Sequence, residues 1–152
     1  MSEIIKAKAS CLCGSVKFTV DQMSTSLSSC HCGMCQKWTG GPYLAVEVSG
    51  DINFIAGKEL VSAYNSSDWA NRNFCSKCGS NLYCTLKNEG RYYMPIGIFE
   101  GYDKNSIHFD TQIFIDKKPP FYDFSNKTEN YTEDQIMAQY AEYFEKQASL
   151  KK

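Results

Sequence analysis

Seven of the eight cysteines in this 152-residue chain fall into three short clusters: Cys11-Leu12-Cys13, Cys30-His31-Cys32-Gly33-Met34-Cys35 and Cys75-Ser76-Lys77-Cys78-Gly79. Thiolates at C-x-C and C-x2-C spacing can turn onto one ion with each sulfur about 2.3 Å away, and a structural zinc takes four of them in a tetrahedron. Seven ligands divide as four and three. Four close a structural site, and three build a site whose fourth corner is left for substrate, as in a catalytic zinc centre. Two zinc ions per chain are therefore expected. Spacing alone does not pair the clusters, because Cys30 to Cys35 can take either half.

A disulfide framework is the competing use of eight cysteines. The N-terminal stretch Met1 to Lys8 has no apolar core and no signal-peptide cleavage pattern, so a cytoplasmic location is expected, where thiols stay reduced. Cysteines two apart also fit poorly to the Cα separation and Cβ direction that a bridge demands. Metal ligation is the better reading.

The length suits one domain over residues 1–152, and neither glycine, proline nor charge is extreme enough to signal disorder. A formal net charge of −1 excludes a general electrostatic attraction to nucleic acid or an anionic membrane, and no apolar run is long enough to span a bilayer. The expected partner is a small molecule. The oligomeric state is not legible.

Period-two patterning dominates. Val16, Phe18 and Val20 alternate with polar neighbours, and the runs Tyr43 to Val48, Ile52 to Ile55, Leu60 to Tyr64, Leu82 to Leu86, Tyr92 to Ile98 and Gln112 to Ile115 read as further strands. Pro95 demotes its strand to an edge or marks a bulge. Ser24 to Ser29 reads as a loop, and the core of the domain as residues 11–122. A helix is expected over about 132–147, opened by a Thr132/Gln135 capping box with Glu133 and Asp134 at its positive end. Its stripe of Ile136, Met137, Tyr140, Tyr143 and Phe144 reads as a docking face.

Other conspicuous residues take plain readings. His31 lies between two ligands and points away from them in extended chain, which suits a scaffold role. His108 reads as surface, and Cys84 as a buried free thiol. Trp38, Tyr43 and Trp69 read as core or pocket wall. Arg72 and Arg91, the only arginines, can pair with a substrate carboxylate.

The motifs Cys11-x-Cys13-Gly14 with Val16-x-Phe18, Cys30-His31-Cys32-x2-Cys35 with Gly40, and Asn73-Phe74-Cys75-x2-Cys78-Gly79-Ser80-x-Leu82 resemble those of the glutathione-dependent formaldehyde-activating enzyme family, also called the centromere protein V family. Gln112 to Asp116 and Pro120 to Tyr122 resemble its closing motif. The resemblance implies a mainly β, Mss4-like fold, twisted and mostly antiparallel. It implies a structural zinc on Cys11, Cys13, Cys75 and Cys78, and a catalytic zinc on Cys30, Cys32 and Cys35. Where the family usually carries a histidine, this chain has Gln112.

Three thiolates overcompensate a divalent ion, so such a zinc is a weak activator of water and a good partner for a soft thiol. Addition of a thiolate to an aldehyde, or cleavage of the adduct, is the expected reaction. The resemblance implies the same chemistry, a carbon-sulfur lyase that interconverts formaldehyde and glutathione with S-hydroxymethylglutathione. The alternative is a non-enzymatic Mss4-like zinc-binding module, which has no use for an incomplete site.

Overall fold

The computed structural model describes residues 3–86 and 90–150, with only the backbone described at helix positions 143, 144 and 146–150. The chain is mainly β and mostly antiparallel, with a long C-terminal helix, and it forms two compact units. The first comprises Met1–Leu27 and Leu44–Phe109, the second Ser28–Tyr43 and Asp110–Lys152.

In the first unit the strands β2 (Lys17–Cys30, of which the last three residues belong to the second unit), β3 (Tyr43–Ala56, of which the first residue belongs to the second unit), β4 (Val61–Asn65), β5 (Ala70–Cys75), β6 (Asn81–Leu86) and β7 (Arg91–Pro95) lie in the order β2-β3-β7-β6-β5-β4. The strand β1 (Ile4–Ser10) pairs antiparallel with β2 and with the short β8 (Phe99–Glu100). Alternation in β2 buries Phe18 and Val20, as the sequence requires, and Val46, Val48, Leu82 and Met94 join them in the core. Phe18 meets Phe54 and Tyr83 at ring distances of 5.5 and 6.4 Å. Truncating such a buried aromatic to alanine costs on the order of 3–5 kcal/mol.

Three sequence expectations are corrected here. Ser24 to Ser29 is not a loop but the continuation of β2, whose alternating burial runs on through Thr25. Serine and threonine read as loop residues by composition, yet pairing of Ile4 with Ser24 holds them extended. The runs Tyr43 to Val48 and Ile52 to Ile55 are one strand, because β3 continues through Gly50 and Asp51. The stretch Tyr92 to Ile98 ends as a strand at Pro95, which pairs with Ala45, and a 3-10 turn over Ile96–Ile98 follows. Proline has no N–H to extend the ladder.

In the second unit, helix α1 (Gly33–Thr39) grows out of the middle cysteine cluster. The strand β9 (His108–Ile113), which enters this unit at Asp110, pairs in parallel with β10 (Glu129–Tyr131), setting Asn130 opposite Gln112. Helix α2 (Glu133–Leu150) starts one residue after the expected position and runs three further. Its capping box is present: the Thr132 N–H donates to Gln135 Oε1 at 2.7 Å, and the Gln135 N–H donates to Thr132 Oγ1 at 3.3 Å. Of its apolar stripe, Ile136 is buried, Tyr140 half-buried and Met137 exposed, while the side chains of Tyr143 and Phe144 lie outside the described residues.

Candidate metal centres

The first cysteine group lies wholly in the first unit. The sulfurs of Cys11, Cys13, Cys75 and Cys78 all fall within 4.8 Å of one another. Cys11 and Cys13 Sγ are 3.5 Å apart, and Cys13 and Cys75 Sγ 4.0 Å. The edge of a tetrahedron with about 2.3 Å metal-sulfur bonds is about 3.8 Å, so these donors fit a four-thiolate ion.

Local backbone geometry explains the convergence. Cys11 and Cys13 lie where β1 gives way to a turn, and the Gly14 N–H donates to Cys11 O at 3.0 Å. Cys75 ends β5, and the Gly79 N–H returns to Cys75 O at 2.8 Å, with Gly79 at φ +79°. Only glycine takes that conformation without strain. Ser80 joins the two halves: its Oγ accepts from the Leu12 N–H at 2.9 Å and lies 3.2 Å from Cys78 Sγ. Hydrogen bonds from the Ser80 side chain and from the Cys13 and Ser80 backbones pull the Cys78 thiol down to about 5. Hydrogen bonds from the Ser15 hydroxyl and N–H also lower the Cys13 thiol from its ordinary value. Cys78 is thus held as a thiolate before any cation arrives, and Cys13 is shifted in the same direction.

The second group lies wholly in the second unit. The sulfurs of Cys30, Cys32 and Cys35 also lie within 4.8 Å of one another, one ligand fewer than a tetrahedron needs. Cys30 and Cys35 are buried and Cys32 half-exposed. The Cys32 sulfur caps α1 by accepting from the Cys35 N–H at 3.3 Å, a role usually filled by a side-chain oxygen. Hydrogen bonding to Cys32 and Cys35, then burial, pushes the Cys30 thiol far up. Three sulfurs packed together cannot all carry charge without a cation among them, so this donor set also suits a soft divalent metal.

His31 is fully buried beside these ligands and hydrogen-bonded at both ring nitrogens, Nδ1 to the Tyr122 hydroxyl at 3.0 Å and Nε2 to Gln112 Oε1 at 2.8 Å. Burial holds its imidazole below the ordinary value, against the opposing pull of Gln112. Gln112 and Thr128 also line a cavity of about 550 Å³ in the same unit, with Lys118, Asp123, Phe124 and Lys127 among its walls. That volume suits a small ligand.

The family's sequence profile settles the relationship, because that of the glutathione-dependent formaldehyde-activating enzymes matches residues 6–117. The chain belongs to this family. Among relatives of this formaldehyde-activating family member, an uncharacterized lyase of Schizosaccharomyces pombe is 35% identical over 131 residues, spanning 86% of this chain and 93% of that one. A Halomonas elongata protein with the provisional name of glutathione-dependent formaldehyde-activating enzyme is 33% identical over 84 residues, 50% of this chain and 54% of its own. The crystal structure of a Rhodobacter sphaeroides protein superposes with a TM-score of 0.55 at 24% identity, covering 64% of this chain and 92% of that one, and shares the fold.

The remaining singled-out residues distribute as follows. Cys84 is a buried thiol outside both groups, and His108 is exposed, though in β9 rather than a loop. Trp38 packs edge-on against Tyr43 at 5.4 Å in the second unit, and Trp69 is half-buried in the first. Arg72 is buried in β5, whereas Arg91 is exposed and 3.4 Å from Glu47. Sequence reasoning missed the Gln112, Tyr122 and Thr128 surroundings of His31. Their chain separations of 81 and 91 residues from His31, for Gln112 and Tyr122, leave no local signal.

Proposed function

We propose that the protein is a zinc-dependent carbon-sulfur lyase of the cytoplasm, acting as a single domain on thiol-aldehyde adducts of the S-hydroxymethylglutathione type. The observation that carries this reading is the three-sulfur group of Cys30, Cys32 and Cys35, which offers a soft cation three ligands instead of four. The family name and the lyase name of the Schizosaccharomyces pombe relative support it. Cys11, Cys13, Cys75 and Cys78 are the structural ligands in this proposal.

The reaction cleaves the carbon-sulfur bond of RS-CH2-OH. The bonding pair stays with sulfur, the hydroxyl proton leaves, and the carbon departs as formaldehyde; thiolate addition is the reverse. Zinc, when bound, would supply a Lewis acid that favours thiolate over water. Cys30, Cys32 and Cys35 would hold it, and their combined charge disfavours hydrolysis by making hydroxide costly to form. The neighbouring cavity, with Lys127 and the Lys118–Asp123 pair at 2.8 Å in its walls, offers polar groups to a small substrate.

The test is a screen of aldehydes against glutathione and other cellular thiols, with metal content measured on the same sample. Thiol-dependent aldehyde turnover that disappears in Cys35→Ser is the expected result. A protein that binds two zinc ions and turns over no pair in the screen would be a binding module instead.

A further inference from the structure

His31 is anchored at every polar atom it has. Its N–H donates to Ile113 O at 3.1 Å, and its carbonyl accepts from Gln36 Nε2 at 2.6 Å. The same Gln36 nitrogen donates to Lys117 O at 3.1 Å, so both amide hydrogens are committed to carbonyls. The ring adds Tyr122, Gln112 and a longer contact of 3.4 Å from Nε2 to Ser29 Oγ. The residue between two cysteines of the second group is thus fixed by its surroundings in position and in rotation.

The direction of the hydrogen bonds around the ring follows from its far end. Thr128 has one hydroxyl hydrogen, which it donates to Asn130 Oδ1 at 2.6 Å. It can therefore only accept from Gln112 Nε2, 3.0 Å away. This turns Gln112 Oε1 toward His31, where an acceptor demands a proton on Nε2. A buried neutral imidazole carries one proton, so Nδ1 is bare and accepts from the Tyr122 hydroxyl. The chain of donors runs one way, from Tyr122 through His31, Gln112 and Thr128 to Asn130.

We propose that Gln112 is a positioning residue for the second cysteine group: with Thr128 it fixes His31 as the Nε2–H tautomer and so preorganises Cys30 and Cys32 for their metal. The inference rests on the reading of Cys30, Cys32 and Cys35 as ligands. Residues that orient ligands through hydrogen bonds typically change metal affinity by about 10- to 100-fold when removed. A leucine at 112 would remove the acceptor, leaving the Nε2 proton only Ser29 at 3.4 Å. The alternative tautomer, with Nδ1–H donating to the Tyr122 oxygen, would then be favoured.

Nitrogen NMR of the labelled imidazoles tests this directly, because the chain has two histidines and His108→Gln assigns the signals. Wild type should show Nε2 protonated and Nδ1 bare. Gln112→Leu should move the proton toward Nδ1 and speed chelator-driven zinc loss from the second group by about tenfold or more, with the first ion unaffected. Gln112→Glu keeps the acceptor and should keep both the proton on Nε2 and slow zinc loss. An Nδ1–H signal in wild type, an unchanged tautomer or zinc-loss rate in Gln112→Leu, or a second group that takes up no zinc would each overturn the proposal. If Gln112→Leu does not fold, the wild-type and Gln112→Glu spectra and zinc-loss rates decide. A protein that loads zinc with the expected tautomer but cleaves no adduct would refute the lyase reading and support this one.

Discussion

Cys13 and Cys75 are 62 residues apart in the chain, and their sulfurs are 4.0 Å apart in the first unit. An ion held by both sides of this contact closes a long loop, and its binding free energy is partly folding free energy. Cys78→Ser should therefore lower the melting temperature sharply, by about 10 °C or more, whereas Cys35→Ser should shift it little. Scanning calorimetry of the two variants measures the difference. Equal melting temperatures would mean that the structural role is assigned to the wrong group.

Metal should leave the two groups in order. With three protein ligands instead of four, the second group holds its ion less firmly than the first and leaves one corner open to a chelator, even though the first group, with Cys13 at the surface, is the more exposed of the two. Fresh reduced protein should hold close to two zinc per chain and fall toward one under mild chelation, with the circular dichroism spectrum unchanged. In cobalt-substituted protein, added thiol should alter the charge-transfer bands of the second group only. Simultaneous loss of both ions would contradict this ordering.

Ser80 should set the pH dependence of the first site. Its hydrogen bonds are the main reason that the Cys78 thiol is held down to about 5, so in the native protein Cys78 is a thiolate above that pH and is protonated as pH falls through it. Zinc uptake between pH 6 and 8 then displaces no proton from Cys78. In Ser80→Ala the thiol should keep its proton to higher pH, and zinc affinity should fall more steeply as pH drops from 8 to 6. Competition titrations across that range should show up to one additional proton released per zinc. Parallel curves for wild type and variant would remove Ser80 from this role.

Gly57 should not tolerate a side chain. Its φ is +78°, and a Cβ placed there would lie 2.1 Å from Ser15 O and 2.9 Å from Val16 Cα, both backbone atoms that cannot swing aside. Gly57→Ala should cost more than about 2 kcal/mol in denaturant unfolding, the sum of left-handed strain and steric displacement. A loss below 0.5 kcal/mol, the range of an ordinary surface substitution, would show that the β3 end yields freely.

Much of the fold was legible where one residue type carries one meaning. Alternation at Val16, Phe18 and Val20 marked a strand, and the Thr132/Gln135 pair marked a helix start, because both signals are local and periodic. The strand Ile4–Ser10 alternates exposed Lys6 and Lys8 with buried Ala7 and Ala9, but alanine is a weak strand former and hides the pattern, and Ala70–Cys75 has no alternation of apolar with polar residues. In Ala70–Cys75 polar Arg72 and Asn73 are buried within the sheet, against the usual meaning of those residues. Helix α1 was hidden for a similar reason, since glycine and cysteine are weak helix formers and a sulfur does the capping.

The sequence by itself determined the ligand inventory: seven thiols in three clusters, too many for one ion and spaced as metal ligands are. Ligand type and local spacing are covalent facts, and they limit the metal chemistry before folding begins. Spacing left the pairing of the clusters open and the family resemblance implied it; the tertiary structure is what brings Cys11 and Cys13 to Cys75 and Cys78 and leaves Cys30, Cys32 and Cys35 as a group of three. It alone placed Gln112 and Tyr122 on the two nitrogens of His31. Those contacts are set by strand order and register, which arise from burial of the whole core and have no signature in any single stretch of chain.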